Sequence, residues 1–169
     1  MAGQQSALAD QTERKGCRVD DLDRGLLAAL QRDATQSYAA LAAAVGLSTG
    51  AAHERVRKLR EQGVIRRTTV DVDPAAVGRG VLAFVLVEAN AWMGDRPTRD
   101  ALAALPEVEE AHVIAGPASL LVKIRVGSPE QLQAALRRLF QVEGVTGTQT
   151  VVVLESFFER SPDPYPATD

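Results

Sequence analysis

From residue 20 onward, apolar positions recur with a helical period three times before the pattern changes. Leu22, Leu26, Leu27 and Leu30 mark the buried side of a first helix, which either Asp20 or Asp21 can cap. Ser37 can cap a second, in which the alanine run 39–44 has high helix propensity and Leu41 and Val45 lie one turn apart. Gly46 suits the left-handed position that ends a helix, Leu47 can plug the core at the turn, and Ser48 can cap a third helix. In that helix Ala52, Val56 and Leu59 fall at i, i+4 and i+7 and must face inward, and Gly63 stops it. The pattern predicts a three-helix unit whose last two helices form a helix-turn-helix.

Residues 64–72 are β-prone and lead through Asp73-Pro74 and a flexible Gly78-Arg79-Gly80 into a second region. There the period alternates. A strand is expected at 81–88 and, after a loop with Trp92, Gly94 and Pro97, a short helix at 98–105. Strands at 108–115 and 120–126 flank the Gly116-Pro117 turn and should pair as a hairpin. Ser128-Pro129-Glu130-Gln131 is a capping box, followed by an apolar stripe of Leu132, Ala135, Leu136, Leu139 and Phe140. A last strand is expected at 148–157. The order β-α-β-β-α-β is the ferredoxin-like arrangement, so the fold class is α+β. The expected division is a disordered tail at 1–18, a helix-turn-helix domain at 19–73, a linker at 74–80, an α+β domain at 81–160 and a flexible tail at 161–169.

Two helices cover one face of such a sheet, yet the first strand is apolar on both sides, with Leu82, Phe84 and Leu86 opposite Val81, Ala83, Val85 and Val87. The last strand sets Val151 and Val153 opposite Val152 and Leu154. The uncovered face would be a large exposed apolar patch, and the simplest cover is a second copy, so at least a dimer is expected.

Charge sharpens the picture. The 169 residues carry a formal net charge of −3, but residues 53–67 hold six basic side chains against two acidic ones, while the part after Gly80 is acidic. That distribution suits a protein touching phosphate with one end. Thr49, Gly50, His53, Glu54 and Arg57 point outward near the start of the third helix, where recognition helices reach base edges, and Ser48 opens it. Arg55, Lys58 and Arg60 flank that face and, with Arg66 and Arg67, could reach phosphates. A solvent-facing helix can also carry charge for solubility alone. Cys17 is the single cysteine, and His53 and His112 are the only histidines, which excludes an internal disulfide and a multi-histidine metal site. No cofactor is expected. Neither a membrane span nor a secretory apolar region is evident, which makes the cytoplasm the default.

With these elements in order, the chain resembles the Lrp/AsnC, or feast/famine, family of prokaryotic transcription regulators. The matching motifs are LDRGLLAALQRDA (22–34), LAAAVGLS (41–48), RVRKLREQGVI (55–65), PEVEEAHVIAG (106–116) and GVTGTQTVVVLE (144–155). The resemblance implies binding to double-stranded DNA, a sensing domain for an amino acid or related metabolite, and dimers assembled into octamers or similar discs. It places the effector at interfaces between sensing domains, near the hairpin between the second and third strands, where the family has glycine, two variable residues and usually aspartate. Here the run is Gly116-Pro117-Ala118-Ser119, so a serine replaces the carboxylate and offers a neutral hydrogen bond of roughly half the strength. Thr148, Thr150 and His112 match further family positions, although hydroxyls and a lone histidine on strands are also ordinary structural residues. As a plain reading, Gly116-Pro117 is a β-turn with Ser119 at its exit. Two other functions stay open: a paired-barrel enzyme, against which stands the lack of a nucleophile-base pair or phosphate loop, and a regulator of a protein partner, suggested by Glu54 and Gly50 on the recognition face.

Overall fold

In a computed structural model, residues 19–165 are described and fall into two compact units, one up to Val70 together with the segment from Phe158, the other Asp71–Phe157. The tail expected at 1–18 lies outside the described residues.

The first unit is three helices: α1 (Asp21–Arg32), α2 (Tyr38–Val45) and α3 (Thr49–Glu61). Asp20 caps α1 through a full capping box, its carboxylate accepting from the Asp23 N–H at 2.8 Å while the Asp23 carboxylate accepts from the Asp20 N–H. The Ser37 and Ser48 hydroxyls accept from the Ala40 and Ala51 N–H groups, each at 3.2 Å. Between α2 and α3, Gly46 takes φ 71°, which a side chain would make costly, and the Leu47 N–H closes onto the Ala42 carbonyl. The core is Leu26, Ala29, Leu41, Ala42, Ala52 and Val56, with Leu30, Tyr38, Val45, Leu47 and Ile65 packed around it. Each buried leucine contributes about 2 kcal/mol, which a unit this small needs. From the segment assigned to a flexible tail, the Pro162 carbonyl accepts from Gln31 at 2.9 Å and the Pro164 carbonyl from Arg24. Residues 166–169 lie outside the described part.

The second unit holds β1 (Val81–Ala89), α4 (Arg96–Ala103), β2 (Val108–Val113), β3 (Leu120–Val126), α5 (Pro129–Leu139) and β4 (Val145–Val152), with strand order β2-β3-β1-β4 and every neighbouring pair antiparallel. Ala83, Val85 and Val87 pack with Leu120, Val122, Ile124 and Val126 against Leu102 of α4 and Leu132, Ala135 and Leu139 of α5. Both helices thus lie on one face. Register places Leu82, Phe84 and Leu86 with Leu121 and Val151 on the other, joined there by Lys123 and Arg125. These two cations bond to Glu109 and Glu110 of β2, at 2.9 Å for Arg125 Nε to Glu109. The second face is therefore apolar at its centre and ion-paired towards β2.

Four expectations shift. The β-prone stretch 64–72 joins no ladder, and Val70 and Val72 are exposed, because a strand needs a partner edge and this segment meets none among the described residues. The glycine linker contains a hydrogen-bonded turn, with Asp73 accepting from the Ala75 N–H and Pro74 from the Arg79 N–H at 2.7 Å. Helix α4 begins at Arg96 rather than 98, since Asp95 caps it and Pro97 is tolerated in the first turn. The last strand starts at Val145 and ends at Val152, earlier at both ends than the apolar run suggested; Val153 keeps one bond to the Leu82 carbonyl, and Leu154 and Phe157 are almost fully exposed.

Candidate functional site

Helix α3 presents two contrasting faces. Ala52, Val56 and Leu59 are buried, and on the opposite side Gly50, Glu54, Arg57 and Glu61 form one stripe at helical spacing, with Thr49, His53 and Lys58 beside it. Thr49, Gly50, His53, Arg57 and Lys58 are exposed, and Glu54 is half-buried. Ser48 serves the helix as its cap, and His53 stacks edge-on against Tyr38 with ring centres 4.7 Å apart.

Arg55 has different surroundings. Its Nη1 donates to Asp20 at 2.7 Å and to Asp23 at 2.8 Å, so the side chain ties α3 to the N-terminus of α1. The Asp23 N–H first, and Arg55 next, hold the Asp20 carboxyl below its ordinary value, while both carboxylates raise Arg55. An expected phosphate contact is thereby engaged inside the domain.

Arg57 faces outward and is held by carboxylates of its own helix. Its Nε and Nη2 donate to the two oxygens of Glu54 at 2.8 and 2.7 Å, and its Nη1 donates to Glu61. Lys58 Nζ lies 3.7 Å from Glu54. Hydrogen bonding from Arg57 pulls the Glu54 carboxyl down to about 2, so it is ionised throughout the neutral range. Sequence periodicity placed these residues on one face; their pairing follows from the i, i+3 and i, i+4 spacings, which a charge count does not weigh.

In the second unit, Gly116, Pro117 and Ser119 share the turn between β2 and β3. The Ser119 N–H donates to the Val87 carbonyl at 2.9 Å, and the Ile114 N–H donates to the Ser119 carbonyl. Thr148 and Thr150 pair with Val87 and Val85, which puts them on the helix-covered side of β4, at the sheet edge opposite β2. His112 pairs with Leu121 on the other face, its Nε2 3.2 Å from Glu110, whose carboxyl is lowered by His112 and then by Lys123. One copy of the chain therefore does not bring the six residues together. Glu88, which sequence reasoning passed over, lies between the two edges. It follows Val87 and pairs with Gly147, and its Oε2 would be only 2.8 Å from a Cβ at that glycine, so the carboxylate rests over bare backbone. The sequence signal is a glutamate ending an apolar strand together with a glycine inside GVTGTQT.

Among the described residues, no group of three or more His, Cys, Asp or Glu could hold a metal ion, and no helix is long and apolar enough to cross a membrane.

Comparison with known proteins matches both units. Residues 19–60 fit the AsnC-type helix-turn-helix domain and residues 82–163 the Lrp/AsnC ligand binding domain. The chain is 35% identical over 143 residues to the HTH-type transcriptional regulator FL11 of Pyrococcus horikoshii, covering 85% of this chain and 94% of that one. It is 34% identical over 147 residues to the regulatory protein AsnC of Escherichia coli, covering 86% and 97%. Among solved structures, a feast or famine regulatory protein from M. tuberculosis complexed with L-methionine superposes with a TM-score of 0.79 at 30% identity, covering 87% of this chain and all of that one. The two domains, their order and this identity over most of both lengths establish that the chain belongs to the Lrp/AsnC family of transcriptional regulators.

Proposed function

We propose that this regulator binds duplex DNA through the outward face of α3 and adjusts that binding to an amino acid held by its α+β unit. The observation that carries the DNA half is the capped α3 itself, with a sealed apolar stripe on one side and Gly50, His53, Glu54 and Arg57 on the other. Arg57 is assigned to base edges, and Lys58, Arg60, Arg66 and Arg67 to phosphates. Arg57→Ala should weaken sequence-specific binding, whereas Arg66→Ala should lower affinity on all duplexes alike and reduce the salt slope by about one. Gel-shift titrations in which both variants match the parent would remove α3 from the interface.

The effector half rests on the ligand-binding domain match and on the relative bound to L-methionine. The turn at Gly116, Pro117 and Ser119 is assigned to the effector, with Thr148, Thr150 and His112 supplied by neighbouring copies, since a single copy sets them apart. Glu88 joins this set as a carboxylate able to pair with an α-ammonium, to which Ser119 offers only a neutral hydrogen bond. A thermal-shift screen of the twenty amino acids should find a ligand that raises the melting temperature. Ser119→Asp should then alter the ranking of ligands and Glu88→Gln should weaken the best of them, with oligomeric state retained in both. An unchanged ranking and affinity would exclude this turn as the sensor. The assembly is at least a dimer, formed on the uncovered sheet face, and it works in the cytoplasm as a regulator without enzymatic activity.

A further inference from the structure

Arg57 makes three hydrogen bonds to carboxylates of its own helix, whereas Arg60 makes one to the Tyr38 hydroxyl and Lys58 lies 3.7 Å from Glu54. Two of its nitrogens are held by one carboxylate and the third by another, which engages three of the five guanidinium N–H groups. One N–H remains on each terminal nitrogen. These remaining donors lie at the end of the planar group away from the backbone and can reach the O6 and N7 acceptors that guanine presents in the major groove. At Gly50, one turn before Glu54 on the same stripe, an added Cβ would meet nothing within 4 Å among the described residues, so the helix surface there is open.

We propose that Glu54 is a positioning residue that sets the guanidinium of Arg57 to read a guanine in its DNA site, with Glu61 bracing it from the next turn. The inference rests on the DNA-binding function proposed above. A free arginine would have to give up rotamer freedom on meeting a base, whereas Arg57 is already immobilised and the ordering is done in the unbound protein. The same carboxylates repel phosphates, so they lower affinity for arbitrary sequence while sharpening the choice among sequences. A helix-stabilising ion pair alone would have neither effect.

The test uses the full chain and duplexes selected from a pool with a randomised core. The parent should enrich sites with a recurring guanine, and replacing that base by 7-deazaguanine, which lacks the N7 acceptor, should lower its affinity by about 5- to 150-fold. Glu54→Ala should keep the helical circular-dichroism signal and the melting temperature, lose most of that 7-deazaguanine penalty, and bind random-sequence duplex more tightly than the parent. Glu54→Gln, which retains an acceptor without the charge, should recover part of the penalty. Equal penalties in the parent and in Glu54→Ala would overturn the proposal, as would selected sites indifferent to 7-deazaguanine. A parent that enriches no duplex at all would instead overturn the DNA-binding function beneath it.

Discussion

Arg55 and Arg57 stand two residues apart on α3, and the difference between them is 200° of helical rotation. That turn carries Arg55 back towards α1, where Asp20 and Asp23 wait at 2.7 and 2.8 Å, and leaves Arg57 on the solvent side. A sequence shows both as basic and near the recognition face. It does not show that the acids of the first helix cap lie within reach of Arg55, 35 and 32 residues later in the chain. Asp20→Ala should remove both a cap and an ion-pair partner and destabilise the helical unit by about 1 kcal/mol in urea unfolding. The carboxyl of Asp20 is depressed in the folded chain, so its contribution is fully present above its ordinary value of 3.8 and fades as pH falls through the lower folded value. The gap between parent and variant should thus hold steady at neutral pH and narrow only in acid below about pH 3.8; a gap that closes near neutrality would assign the stabilisation to another group.

At the level of elements, legibility follows the range of the interaction that defines each one. The three helices of the first unit and α5 were readable because a cap is settled within four residues: Asp20, Ser37, Ser48 and Ser128 each accept from the N–H three residues on, although at Ser128 the Gln131 side chain reaches back to the Gly127 N–H and not to that of the cap. The same holds for the turn at Gly46. Its left-handed backbone and open surroundings mean that Gly46→Ala should cost roughly 1 kcal/mol through conformation alone, with α2 and α3 still formed in circular dichroism. Loss of the helical signal would show that the glycine also protects a contact. Strands are defined by partners, which is why 64–72 looked like one without pairing and why β4 was displaced from its apolar run. The candidate effector site was the least legible for the same reason. Its residues could be named by family position, yet strand order sends β2 and β4 to opposite edges, and Glu88 gains its place only through pairing with Gly147.

Across the whole molecule, the division of charge and apolar surface matches a division of labour. The helical unit carries the basic face, while the α+β unit leaves Phe84, Leu86, Leu121 and Val151 on a sheet face that its own helices do not cover. If a second copy covers that face, Phe84→Glu should shift the assembly towards monomer in sedimentation velocity, because an unpaired carboxylate in an apolar interface costs several kcal/mol. An unchanged sedimentation coefficient would move the interface elsewhere. Such a variant should also bind its operator less tightly, since two recognition helices are then no longer presented together.

The most direct test of the account is the affinity of the full chain for its selected duplex, measured by fluorescence anisotropy at fixed salt, without and with a saturating amino acid that raises its melting temperature. A regulator whose two units are coupled should change affinity by about 5- to 150-fold on adding that ligand, with Arg57→Ala weakening binding in both conditions. An amino acid that binds yet leaves duplex affinity unaltered, with Arg57→Ala indistinguishable from the parent, would contradict it.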